Sequence, residues 1–196
     1  MARPRHIPDA EVLDIARACF LELGPGVSTT VIAERIGLSQ AALFKRFRTK
    51  KELMMAALLP PAFPPFIEVM EAGPTDEPIE AQLAGIGRSV LAFFLEIVPC
   101  VATLHASGFD KRDIFGKHDI PPPIRTQMAL GTWFEKAVAQ GRVRNLPPMH
   151  LATAFLGTFH VRAFMSHVAG RPVPEDPSDY IENVVDTFVH GLLEAR

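Results

Sequence analysis

The sequence has only two cysteines in 196 residues, Cys19 and Cys100. So sparse a pair builds no disulfide framework, and its spacing matches no metal motif. Charge of one sign is also missing: 20 Lys and Arg face 22 Asp and Glu, a net of −2, which excludes a chain that is basic throughout. No glycine-rich loop could cradle a phosphate. His105, His118, His150, His160, His167 and His190 show no His-Glu-x-x-His or other ligand spacing, so neither metal nor cofactor is expected. Residues 1–9 carry charges with no apolar run after them, so no signal peptide is expected. The most apolar stretch, 90–104, is too short to span a bilayer and contains Glu96 and Pro99. The expectation is a cytoplasmic protein with no membrane partner.

Helical periodicity dominates what is present. Val12, Ile15, Ala16, Cys19, Phe20 and Leu23 form one apolar stripe at helical spacing, which Gly24 is placed to end. Further helices are predicted near 29–36, 40–46, 50–59, 79–97, 100–107, 122–140, 148–169 and 178–194, and no stretch alternates convincingly as a strand. The fold class is all-α. Pro60, Pro61, Pro64 and Pro65 must break whatever follows residue 59, Gly73–Pro78 is a second break, and 109–123 reads as a loop. The charge divides at the first break. Residues 1–60 carry nine Lys and Arg against six Asp and Glu, a balance of +3, and the remainder carries eleven against sixteen, −5. A basic end on an acidic body points to nucleic-acid contact at one end only. The predicted domains are 1–59 and 60–196.

The segment Ser28–Leu53 carries the functional signal. Ser28 is an N-cap for a helix through Ile36, Gly37 ends that helix, Ser39 caps a second short helix, and Thr49-x-x-Glu52 has capping-box spacing for a third. Ala33, Gly37, Leu43 and Phe47 supply the small residue, the turn glycine and the apolar inner face that two helices packed across a tight turn require, with Ile32, Ile36 and Leu38 completing a small core. This is a helix-turn-helix at about 28–47. Gln40, Ala41, Phe44 and Lys45 then face outward from the second helix. Gln40 can read a base edge, preferably adenine, and Ala41 could touch a thymine methyl. Arg46, Arg48, Lys50 and Lys51 follow with no acid between Ser39 and Lys51, and suit phosphates, as do the hydroxyls of Ser28, Thr29 and Thr30.

The text Ile32-Ala33-x-x-Ile36-Gly37-Leu38-Ser39, Leu43-Phe44-x-x-Phe47 and Lys50-x-x-Leu53 resembles the DNA-binding domain of the tetracycline-repressor (TetR) family, and the helix at 9–23 fits that family's first helix. The resemblance covers about a quarter of the chain. It implies that Ser28, Thr29, Thr30, Ser39, Gln40, Ala41, Phe44, Arg46 and Lys50 lie near double-stranded DNA. Phe44 departs from the family's usual tyrosine and loses a hydroxyl–phosphate bond. Arg46 stands where histidine or tyrosine is common. The resemblance further implies a body that binds a small effector and dimerises through its last two helices, and a repressor that the effector releases from a palindromic operator.

The residues give independent grounds for a homodimer. In helix 148–169, Leu151, Phe155 and Phe159 define one face, while Gly157, Val161, Phe164, Met165 and Val168 spread onto another. A second apolar face suits burial against a partner subunit, with Val184, Val185 and Phe188 of the last helix well placed to join it. One large core covering both faces is the alternative. For the effector, an apolar pocket among Phe93, Phe94, His105, Met128, Trp133, Phe134, Phe155 and Phe159 is the expectation, although aromatics at helical spacing are more often plain core.

A helical small-molecule enzyme is the main rival function. Cys100 and His105 are five apart on a predicted helix and point away from each other, and His105-Ala-Ser107-Gly lacks the nucleophile-elbow pattern. A non-specific architectural DNA-binding protein is a second rival, which Gln40, Ala41 and the acidic body oppose. A protein-interaction module is a third.

Overall fold

The computed structural model describes residues 7–59, 64, 66–174 and 176–191. Among them there are helices and no strands, as the periodicity requires. The chain divides into two compact units: Met1–Pro60 with Pro99–Lys117, and Pro61–Val98 with His118–Arg196.

The first unit is built on α1 (Asp9–Leu23), α2 (Thr29–Ile36), α3 (Gln40–Arg46) and α4 (Lys50–Leu58). α1 packs on α2 and α4, and Val12, Ala16, Cys19 and Phe20 of its stripe are buried, while Ile15 is half-buried and Leu23 exposed. Arg17 donates from Nε to the Ala57 carbonyl at 2.8 Å, joining α1 to α4. The predicted N-caps form, but the capping box at Thr49 forms only in its forward half. Ser28 Oγ accepts from the Val31 N–H, Ser39 Oγ from Ala42 and Thr49 Oγ1 from Glu52. The Glu52 carboxylate takes the N–H of Arg48 at 2.9 Å, one residue before the position a reciprocal capping box uses. Replacing Ser39 with alanine should cost the unit about 1 kcal/mol by orphaning the Ala42 N–H, read as a lower thermal midpoint.

The second unit contains α5 (Phe66–Ala72), α8 (Pro122–Ala139), α9 (Pro148–Ala169) and α10 (Ser178–His190). α6 (Ile79–Ala106) supplies residues to both units, and α7 (Lys111–Phe115) belongs to the first. α8 packs against α9 and α5. Lys136 Nζ reaches from α8 to the carbonyls of Glu71 and Ala72 at 2.8 and 3.1 Å, satisfying acceptors that the end of a helix leaves open. A Cβ at Gly87 would lie 2.7 Å from the Phe159 ring, so that close approach of α6 to α9 requires glycine.

Three elements depart from expectation. The helices predicted at 79–97 and 100–107 are one helix with Pro99 inside it. A proline removes one hydrogen bond, and here burial of Ile97, Cys100 and Leu104 on either side favours continuing the helix. α5 occupies a stretch that the prolines concealed, and of these Pro60, Pro61 and Pro65 lie outside the described residues. α7 occupies the predicted loop. Asp110 caps it by accepting from Asp113 and Arg112, with Asp113 accepting in return. These N–H groups, that of Asp113 first, hold the Asp110 carboxyl below the ordinary carboxylate range.

The 28 residues of α6 are by length and composition enough to cross a membrane, although the run 90–104 alone is short. Of its most apolar window 28% is buried, and Leu83, Ile86, Val90 and Leu91 lie in the core of the second unit. The predicted last helix ends at His190 among the described residues, and its remaining positions, 192–194, lie outside them.

Candidate nucleic-acid interface

Gly37 sets the angle between α2 and α3. Its φ of 82° and ψ of 28° are left-handed, a conformation that only glycine adopts cheaply. The Leu38 N–H reaches back to the Ala33 carbonyl at 2.9 Å and the Gly37 N–H to Glu34 at 3.0 Å. This double closure is the Schellman arrangement. Ile32, Ala33, Ile36 and Leu43 are buried beneath the turn. With Leu43 anchored inward, Gln40, Ala41 and Lys45 are exposed and Phe44 and Phe47 half-buried. Ser28, Thr30 and Ser39 are exposed and Thr29 is half-buried, so hydroxyls cluster at the starts of α2 and α3.

Beyond the capping Ser28 and Ser39, four of the expected DNA-facing side chains, Thr29, Gln40, Arg46 and Lys50, have partners within the unit. Gln40 donates from Nε2 to Thr29 Oγ1 at 2.8 Å, across the turn. Arg46 donates to the Ile7 carbonyl at 2.6 Å and pairs with Asp9 at 3.0 Å, bracing the end of α3 against the start of α1. Lys50 Nζ donates to the Pro25 carbonyl at 2.7 Å. The neighbouring Lys51 ammonium lies 5.4 Å from the Phe109 ring centre, a cation–π arrangement. The Asp9 partner was missed in the sequence, where the only sign was an acid in the first turn of α1. The outcome is a projecting helix with an amide and a methyl at its leading end and cations behind them.

Six of the eight expected effector residues, Phe93, Phe94, Trp133, Phe134, Phe155 and Phe159, belong to the hydrophobic core of the second unit. Trp133, Phe134, Phe155 and Phe159 are buried in an edge-to-face series, with centroid distances of 5.2, 6.5 and 5.1 Å between successive rings. Phe93 packs on Phe66, and Phe94 on His160. Met128 is exposed. His105 lies in the first unit, its Nδ1 3.1 Å from the Phe109 carbonyl. A cavity of about 350 Å³ does exist in the second unit, and of the eight only Phe134 lines it.

The expected dimer residues also separate. Val161, Phe164, Met165 and Val168 of α9 are 57%, 45%, 37% and 62% exposed. Gly157, Val184 and Phe188 are half-buried, and Val185 faces the unit's own core. Among the described residues no group of His, Cys, Asp and Glu is placed to hold a metal ion.

Residues 12–57 match the sequence family described as bacterial regulatory proteins, tetR family. No curated protein matches the chain in sequence. The fold is similar to that of the TetR family transcriptional regulator PfmR from Thermus thermophilus, at 18% identity and a TM-score of 0.66, over 97% of this chain and 100% of that one. It is similar to the transcriptional regulator FadR from Bacillus subtilis in complex with stearoyl-CoA, at 14% identity and 0.67, over 95% and 100%. It is also similar to AibR in complex with isovaleryl coenzyme A and operator DNA, at 16% identity and 0.58, over 94% and 98%.

Proposed function

We propose that this chain, a member of the tetR family by its N-terminal match, is a cytoplasmic homodimeric repressor. It holds a palindromic DNA operator and is released by a small, apolar effector bound in its body. The observation that carries this is the exposed leading end of α3, with Gln40 and Ala41 presented by a capped, glycine-closed turn. An α-helix projecting in this way enters the major groove, where a carboxamide pairs with adenine and a methyl packs on thymine. Lys45, Arg46 and Lys50, with the hydroxyls of Ser28, Thr29, Thr30 and Ser39, would hold phosphates, and Phe44 would add apolar contact. The division of labour places reading in residues up to 59 and effector binding and dimerisation in 60–196. The acyl-CoA complexes of FadR and AibR support a ligand-responsive body. A ligand favouring one body conformation would lower operator affinity by favouring the arrangement of heads that cannot span both half-sites.

The test is selection of bound sites from random DNA, followed by mobility-shift titration. Gln40→Ala should relax preference at one position of each half-site, at a cost of about 1–3 kcal/mol on the best sequence. Lys50→Ala should weaken all sequences alike and reduce the salt slope by about one unit. If neither variant alters DNA binding, α3 is not the reading helix.

A further inference from the structure

We infer that the cavity in the second unit is a binding site for a small apolar monoanion, an aryl or alkyl carboxylate, with Arg144 meeting the charge. The cavity lies at the start of α6, the loop between α8 and α9 and the end of α10. Its volume of about 350 Å³ would hold about a dozen water-sized groups at liquid density. The floor is apolar and firm: Leu83 and Phe134 are each 1% exposed, and the Phe134 and Phe188 rings lie 6.0 Å apart.

Charge is confined to Arg142, Arg144 and Glu80. Arg142 is already engaged. It donates to the carbonyls of Thr75 and Glu77, which also accept from Gln82 Nε2 at 3.1 and 2.6 Å. It is a strut for the wall. Arg144 is exposed and its guanidinium has no hydrogen bond or ion pair among the described residues, and the same holds for the Glu80 carboxylate. The two guanidiniums against one carboxylate leave one positive charge in excess. An apolar floor beneath one uncommitted guanidinium selects a ligand with an apolar body and a single anionic end, because a carboxylate can take two parallel N–H donors from arginine. Phe188 and Val189 belong to α10, so an occupant bears on a helix of the expected dimer face. That regulatory consequence rests on the proposed repressor function, and the site itself does not.

The experiment uses Trp133, the only tryptophan, whose ring lies 5.2 Å from Phe134 on the cavity floor. The full chain is titrated near neutral pH with octanoate and 4-phenylbutyrate, and with octanol and 4-phenylbutyramide, while tryptophan emission is followed. Both acids should give a saturable change, and the neutral compounds should bind at least tenfold more weakly. Arg144→Gln, at an exposed position, should weaken the acids about ten- to a hundredfold, the loss of one charge-assisted contact. A hundredfold excess over Kd should raise the thermal midpoint by about 5–10 °C. No saturable change, equal binding of acid and amide, or unchanged affinity in Arg144→Gln overturns the site. A mobility-shift assay without ligand tests the head separately, and its failure strikes the repressor function while the titration still judges the cavity. Operator affinity unmoved by saturating acid overturns the coupling of this site to the head.

Discussion

If the proposed repressor dimerises through α9, Phe164→Glu is expected to produce a monomer that has lost operator binding. Phe164 is 45% exposed on α9 in a patch with Val161, Met165 and Val168, so a carboxylate there is hydrated in the single chain and leaves its fold intact. In an isologous dimer the patch meets its own copy. Two carboxylates would then lose water without gaining partners, a cost of several kcal/mol, and about 4 kcal/mol is a thousandfold in dissociation. Each head would meet one half-site alone, and operator affinity should fall by at least about a hundredfold. Sedimentation should give the 21.5 kDa chain mass with unchanged far-ultraviolet dichroism. A variant that remains dimeric and binds normally would place the interface elsewhere.

Phe155→Ala should be the most damaging single truncation. Phe155 is fully buried, with ring centroids 5.1 Å from Phe159, 5.3 Å from Phe188 and 6.5 Å from Phe134. Removing the ring deletes its contacts and leaves a void that neighbouring rings, themselves locked edge to face, fill poorly. The expected loss is about 3–5 kcal/mol, or about 6–20 °C for a chain of this size. A calorimetric scan would detect it, with the two units examined for separate transitions. A stable variant that instead loses its ligand response would return Phe155 to the effector site expected from sequence.

The difference between these two residues was only partly legible in the sequence. In α9 both Phe155 and Phe164 belong to apolar faces, and periodicity marks the faces without saying which one the chain covers itself. The helix-turn-helix was more readable because its signals are local. Ser28, Gly37, Ser39 and Thr49 each act within a few residues of their own position, and every one of those caps and turns forms. The family likeness of 12–57 was legible for the same reason. Cavity and core were not, since they depend on helices distant in sequence. Arg142 and Arg144 sit two residues apart, yet one side chain is a strut and the other makes no bond among the described residues. Pro99 misled because a local rule about proline was set against burial on both sides of it.

The bond from Gln40 to Thr29 gives the proposed reading residue a place to rest. On the proposed operator-binding function, the carboxamide would stay folded back on α2 over unsuitable sequence, with that donor not stranded in the groove. A fitting adenine would have to outcompete an internal partner, offering the carboxamide two hydrogen bonds in place of one. On that function the search state and the locked state would be two rotamers of one side chain. Thr29→Val, which removes both this internal partner and a proposed phosphate contact, should weaken operator binding in a mobility-shift titration.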